Sequence, residues 1–151
     1  IAGRTKALTS SIENSEDNLE DAENQLKKLK ISDKDIIIGI SASGSTPFTC
    51  YVVKEAKKKK ALTISISNNK NSKIEKLSDL SLILNTKEEI IAGSTRLKAG
   101  TVQKVTLNII SSLLMVKFGF VKHGLMSHLK PLNKKLKKRK KIIESFYKSI
   151  N

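Results

Sequence analysis

The run Asp35-Ile-Ile-Ile-Gly-Ile-Ser-Ala-Ser-Gly-Ser-Thr-Pro-Phe48 limits what this chain can fold into more than any other stretch. Ile36 to Ile40 is apolar and β-branched, the pattern of a parallel strand covered on both faces. It leads straight into a Ser/Gly/Thr loop and then a helix start. Gly44 lets the backbone turn sharply, and Pro47 fits the first turn of the helix. Ser41, Ser43, Ser45 and Thr46 place hydroxyls beside free helix N–H groups whose dipole favours an anion. The loop therefore reads either as a phosphate seat or as a plain strand-to-helix turn. It is not a P-loop, because the Lys-Ser/Thr ending is absent, nor a dinucleotide fingerprint, because three spaced glycines are absent.

Around this run the pattern predicts strands alternating with helices. Residues 15–30 read as a helix capped by Ser15, with acids in its first turns, lysines in its last, and Leu19, Ala22, Leu26 and Leu29 along one stripe. Strands are expected at 35–40, 61–66 and 80–84, with helices at 46–60 and 72–77 between them. That order forces parallel pairing through right-handed crossovers. Ligands in such sheets sit at the carboxyl ends of the strands, where the 41–46 and 67–72 loops both emerge. The segment from Gly93 opens a long apolar helix running to about Lys117, and Asn133 to about Lys148 reads as a last, very basic helix. The expected fold class is α/β, a three-layer αβα sandwich with a parallel sheet that is incomplete at the N-terminus. The expected division is residues 1–120 for this domain and 121–151 for a basic helical extension, within part of a longer protein.

The chain has 151 residues and a net charge of +15, which suggests a nucleic-acid partner. The distribution argues against it. Lysines gather in Lys57–Lys60, where they complement a helix C-terminus, and in the 134–141 run, while aromatic residues are only 4% of the chain. The lysines read as solvated, with an anion-binding surface as the other reading. Apolar stretches are interrupted by Lys, Ser or Asn before the roughly 18 residues of a membrane span, so no membrane segment is expected. Cys50 is the only cysteine, read as a small core residue in a reducing cytoplasm. His123 and His128 have no partner at metal-ligand spacing and read as surface or capping residues.

Several motifs then fall in one order: Ile1-Ala-Gly, Ile12-Glu-Asn-Ser-Glu-Asp17, Gly39 to Phe48, Ala61-Leu-Thr-Ile-Ser-Ile66, Glu89-Ile-Ile-Ala-Gly-Ser-Thr-Arg-Leu-Lys-Ala-Gly-Thr101, Gln103-Lys104, Leu107-Asn108, Leu125-Met126 and Asn133-Lys-Lys-Leu136. Together they resemble the N-acetylmuramic acid 6-phosphate etherases, which are sugar isomerase (SIS) domain proteins, over nearly the whole chain. The resemblance implies a homodimeric cytoplasmic lyase that cleaves the D-lactyl ether of N-acetylmuramic acid 6-phosphate during cell-wall recycling, giving N-acetylglucosamine 6-phosphate and D-lactate. It implies no metal, nucleotide or other cofactor. An alternative is a non-catalytic sugar-phosphate regulator like the related glucokinase regulatory protein.

The resemblance also implies site residues. Of the family's two catalytic glutamates, one maps to Glu16. The other precedes a Cys-Pro-Pro-Thr run with no counterpart in these 151 residues, and the same holds for a first Gly-Thr-Ser-Gly loop. Eliminating lactate needs one group to take the C2 proton and another to protonate the leaving ether oxygen, a task suited to two carboxyls. Glu16, read as lying in the first turn of a helix, suits the base, with Glu89 in reserve. Ser41, Ser43, Gly44, Ser45, Thr46, Glu89 and Ser94 are expected to bind substrate or phosphate. Arg96 and Lys98 are expected either to do so or to pair with acids at a subunit contact. Local departures are Asn14-Ser15 for Gly-Ala, Ser45 for Arg, Lys87-Glu88 for Gly-Pro and His128 for Asp.

Overall fold

The computed structural model describes residues 2–150, so Ile1 of the first motif lies outside the described residues. The chain has two compact units, one ending at Gln103 and one beginning at Lys104. In the first, strands β1 (Ile36–Ile40), β2 (Leu62–Ser67) and β3 (Leu80–Ile83) form a parallel sheet in the order β1-β2-β3. The register pairs Ile36 with Leu62 and Ile40 with Ile66, then Ile64 with Leu80 and Ser67 with Ile83. Helix α1 (Leu19–Leu29) leads into β1, and α2 (Pro47–Lys58) and α3 (Lys73–Leu77) connect the strands, as the alternating pattern requires.

The two faces of the sheet differ in kind. On one, Gly39 lets α2 and α3 come close: a Cβ there would stand 2.5 Å from Val53 Cγ2 and 2.9 Å from Ile74 Cδ1. Cys50, Val53 and Ile74 are buried there, while Leu26, Ile31, Ala56 and Ala61 form a second cluster where α1 packs on α2. By register the opposite face carries Ile36, Ile38, Ile40, Leu62, Ile64, Ile66, Leu80 and Leu82. Ile36 is 59% exposed and Leu80 56%. The expectation that β1 is covered on both faces is therefore corrected. A β-branched run records which residues are apolar, not whether a layer lies over them, and α1–α3 cover only one side.

Helix boundaries move for local reasons. α1 starts at Leu19, not at residue 15, because Asn18 Oδ1 accepts the N–H of Asp21 at 2.8 Å, whereas Ser15 Oγ donates to the Ile12 carbonyl at 3.0 Å. Glu16 thus sits in a turn ahead of α1, and the helix-dipole argument for it lapses. α4 (Lys98–Lys117) begins later than expected, with residues 93–97 in turns. It is long and apolar enough, by length and composition, to cross a membrane. This corrects the expectation that no stretch qualifies, since Lys104 is the one charge inside the helix and its other interruptions are uncharged Ser, Thr, Asn and Gln side chains.

The second unit takes in most of α4, a short antiparallel hairpin of β4 (Val121–Lys122) and β5 (Leu125–Met126), and α5 (Lys134–Ile150). The hairpin was not expected. His123 and Gly124 both take positive φ, 50° and 74°, the geometry of a tight two-residue turn that matches strand twist. Asn133 caps α5 by accepting the Leu136 N–H at 2.9 Å, and the Tyr147 hydroxyl donates to the Lys122 carbonyl at 2.9 Å.

One polar tie crosses the first unit from α2 to the start of β3. Asp79 receives Lys57 Nζ at 2.8 Å, the Thr63 hydroxyl at 2.6 Å and the Thr63 N–H at 2.9 Å. The Lys57 ammonium first, then the two Thr63 bonds, hold this carboxyl well below the usual carboxylate range. A carboxyl depressed in the folded state contributes stability above its unfolded pKa of about 3.9 and loses it as pH falls toward the folded value. Asp79→Asn is therefore expected to lower the thermal midpoint at pH 7, with the gap to the parent chain narrowing below about pH 4. Circular dichroism melts at pH 7 and pH 3 check this, and a pH-independent gap would remove the charge from the explanation.

Candidate functional site

The carboxyl ends of β1 and β2 feed the two loops expected to carry the site, and backbone hydrogen bonds stitch those loops together. Ser41 N–H donates to the Ile66 carbonyl at 3.0 Å, Asn68 N–H to Ala42 at 3.0 Å, and Ile74 N–H to Gly44 at 2.9 Å. Asn69 Nδ2 adds a bond to the Ser43 carbonyl at 3.3 Å. The turn itself is held by hydroxyls: Ser41 Oγ lies 2.8 Å from Thr46 Oγ1 and 3.3 Å from Ser43 Oγ, which also accepts the Ser45 N–H at 3.2 Å.

This arrangement leaves donors free. The N–H groups of Ala42, Ser43, Thr46 and Thr49 donate to no other group among the described residues. They lie in the loop and at the N-terminus of α2, where unpaired N–H groups and the helix dipole favour negative charge. The loop therefore has the chemistry of an anion seat made of backbone donors and hydroxyls. Gly44 has a different part. It is buried with φ +69°, its own N–H is spent on Ser41, and a Cβ would come within 2.4 Å of the Ser72 side chain.

An open cleft of about 850 Å³ lies at this edge of the first unit. Ser41, Ser43, Ser45, Thr46 and Glu16 of the expected residues line it. Glu16 is held there through its backbone, because its carbonyl accepts the N–H of Phe48 in the first turn of α2 at 3.0 Å. Asp17, Ala42, Gly93 and Thr95 also line the cleft and were not singled out from the sequence. Each stands inside a quoted motif beside a residue that was chosen. In irregular chain no fixed period sets which side chain faces inward, and the motif alone does not single out one of two adjacent residues.

Gly44, Glu89, Ser94, Arg96 and Lys98 are not part of the lining. Glu89 is occupied at α4, its carboxylate accepting the N–H groups of Lys98 at 2.9 Å and Ala99 at 2.8 Å. The Ala99 bond first, with the Lys98 bond, holds its carboxyl below the ordinary glutamate value, so it is poorly suited to donating a proton. Lys98 Nζ donates to the Glu88 carbonyl. Arg96 is exposed and makes no ion pair among the described residues. Cys50 is buried in α2 and burial pushes its thiol up, as suits a core residue. His128 pairs with Ser127 Oγ at 2.9 Å, and His123 lies against the rings of Phe146 and Tyr147. Among the described residues no group of three His, Cys, Asp or Glu side chains converges as a metal site would.

The SIS domain family model matches residues 7–112. The N-acetylmuramic acid 6-phosphate etherase of Bacillus cereus is 46% identical over 143 residues, which are 95% of this chain and 49% of that protein. The etherase of Oceanobacillus iheyensis is 45% identical over 143 residues with the same two coverages, and that of Lactobacillus johnsonii is 46% identical over 136 residues, 90% of this chain and 46% of that protein. The chain thus spans about half the length of these curated relatives. Among solved structures, the Vibrio vulnificus NanR protein complexed with ManNAc-6P superposes with a TM-score of 0.54 at 17% identity, over 87% of this chain and 44% of that one. At that identity the likeness shows the fold alone.

The packing at Gly44 yields a direct test. Gly44→Ala adds a methyl against Ser72 at a left-handed φ and is expected to cost about 1–3 kcal/mol in stability. Urea unfolding measures it, and a neutral result would mean that the loop and the cap of α3 can separate without loss.

Proposed function

This chain belongs to the SIS domain family, and from that premise we propose that it supplies the sugar-phosphate cleft of an N-acetylmuramic acid 6-phosphate etherase. The observation that carries the reading is the shared cleft of Glu16 and the Ser41–Thr46 loop, joined by the Phe48-to-Glu16 hydrogen bond. A phosphate on the free N–H groups of the loop would be neutralised by backbone dipoles and hydroxyls, without a cation. That anchoring would leave the sugar beside Glu16.

In the proposed reaction Glu16 acts as the base at C2 while an acid protonates the departing ether oxygen, so that the C3–O bond breaks and D-lactate leaves. Addition of water across the resulting double bond then gives N-acetylglucosamine 6-phosphate. Glu16 is exposed at the cleft and ahead of the helix, so solvent can take the proton on from it. The second carboxyl is not among the residues chosen from this sequence, and the chain alone is proposed to bind substrate while releasing little D-lactate. We take the protein to be a cytoplasmic homodimer. The buried lone Cys50 suits a reducing compartment, and the uncovered aliphatic sheet face offers surface to a partner.

Two measurements test the reading. Ser43→Ala with Thr46→Ala is expected to weaken N-acetylglucosamine 6-phosphate binding by about 1–3 kcal/mol, the usual cost of unsatisfied polar groups, and unchanged calorimetric affinity would take the loop out of the site. In the longer protein carrying a partner acid, Glu16→Gln is expected to slow lactate release by about 10²–10⁴ with binding largely kept. Wild-type turnover there would show that another group is the base. Binding without turnover in every form would favour the regulator alternative.

A further inference from the structure

Gly93 and Thr95 line the cleft, yet the segment that carries them, Ile90 to Leu97, belongs to no strand or helix. Burial does not hold it in place: Ile90 is 92% exposed and Ile91 63%. Within it the chain makes short turns, Ser94 N–H to the Ile91 carbonyl at 3.0 Å, Thr95 N–H to Gly93 at 3.1 Å and Leu97 N–H to Ser94 at 3.3 Å, and its last residues meet α4 where the Thr95 and Leu97 carbonyls accept the N–H groups of Gly100 at 2.9 Å and Thr101 at 3.0 Å. Its first residues are fastened to α4 from Glu88 and Glu89. Glu89 Oε2 and Oε1 accept the first two N–H groups of α4, from Lys98 at 2.9 Å and Ala99 at 2.8 Å, and the Lys98 ammonium reaches back to the Glu88 carbonyl. One carboxylate thus answers two donors that have no partner inside the helix and closes an eight-residue loop in doing so.

We propose that Glu89 is a positioning residue, whose carboxylate on the α4 N-terminus closes the Ile90–Leu97 loop and fixes Gly93 and Thr95 as a wall of the cleft. The proposal rests on the reading of that cleft as a sugar-phosphate site, and it replaces a direct substrate contact by Glu89. It also divides the site by ligand chemistry. The Ser41–Thr46 loop supplies several unpaired N–H donors at a helix N-terminus and takes the phosphate. Gly93 and Thr95 present a backbone and a single hydroxyl, neutral groups suited to sugar hydroxyls. Loss of the Glu89 tie then weakens recognition of the sugar and spares recognition of the anion.

The experiment compares the full chain with Glu89→Ala and Glu89→Gln. Amide exchange at Lys98 and Ala99 and tryptic cleavage after Arg96 are followed without ligand, and binding of N-acetylglucosamine 6-phosphate and of inorganic phosphate by calorimetry. In Glu89→Ala, exchange at the two amides and cleavage at Arg96 are expected to quicken about tenfold, the order of effect of a lost helix cap. Sugar-phosphate affinity falls by a similar factor, while inorganic phosphate affinity and exchange in the Ser41–Thr46 loop stay as they were. Glu89→Gln, with one carbonyl oxygen left to accept, falls between. Unchanged exchange and cleavage in Glu89→Ala would overturn the closure, and opened loop with intact sugar-phosphate affinity would overturn the wall. Equal loss of both ligands would mean general unfolding and would also overturn it. If the parent chain binds no sugar phosphate, the functional reading fails, and the exchange and cleavage arms still decide whether Glu89 holds the loop.

Discussion

Parallel pairing of β1 with β2 is the constraint on which the rest of the first unit depends. It puts both strand ends at one edge, and the ladder continues past the strands into the loops through Ser41 to Ile66 and Asn68 to Ala42. The anion seat thus inherits its geometry from the sheet rather than from its own flexible chain. A slip of one residue would turn every side chain to the other face. It would move Gly39 away from Val53 and Ile74, and α2 could then no longer reach the sheet that aims its N-terminus.

The cleft is electrically unusual for the proposed sugar-phosphate site. Its lining holds two carboxyl residues, Glu16 and Asp17, and no lysine or arginine. Ser45 stands there at a position where the resemblance leads one to expect arginine. In the proposed reaction a neutral donor seat has a chemical merit: it would neutralise phosphate without placing a permanent cation next to the carboxylate proposed as the base. The cations lie elsewhere. Lys104 to Asn151 contains twelve Lys or Arg and one acid, Glu144, whereas the other thirteen acids precede residue 104, and four of them, Asp21, Glu23, Glu55 and Asp79, pair with Arg4, Lys27, Lys58 and Lys57.

Much of this was legible in the sequence because it is written locally. The alternation of strands and helices, Pro47 at the first turn of α2, Ser72 ahead of α3 and the Ser41–Thr46 loop each follow from residues a few positions apart. The SIS fold, confirmed by the family match, followed from ordered motifs. What escaped was decided at a distance or by close competition. Ser15 and Asn18 are both good caps, and only the side chain that reached Asp21 set the helix start. The start of α4 depends on Glu89, nine residues earlier in the chain. Two-residue strands such as β4 and β5 are too short to show a period. Gly93 and Thr95 enter the cleft because a loop is closed, which no pattern of residue types records.

The aliphatic face left open by α1–α3 sets a colloidal problem as well as a folding one. The exposed Ile and Leu side chains of that face, Ile36, Ile38, Ile40, Leu62, Leu80 and Leu82, attract any similar surface, yet each copy of the chain carries a net charge of +15 and repels the next. Attraction acts at contact, while repulsion reaches about 30 Å in 0.01 M salt but only about 8 Å at 0.15 M. Ionic strength therefore decides which of the two a pair of chains meets first. In dilute buffer the lysines keep copies apart, and at cellular salt the screen collapses to less than the width of a helix, so the open face is free to find its cover.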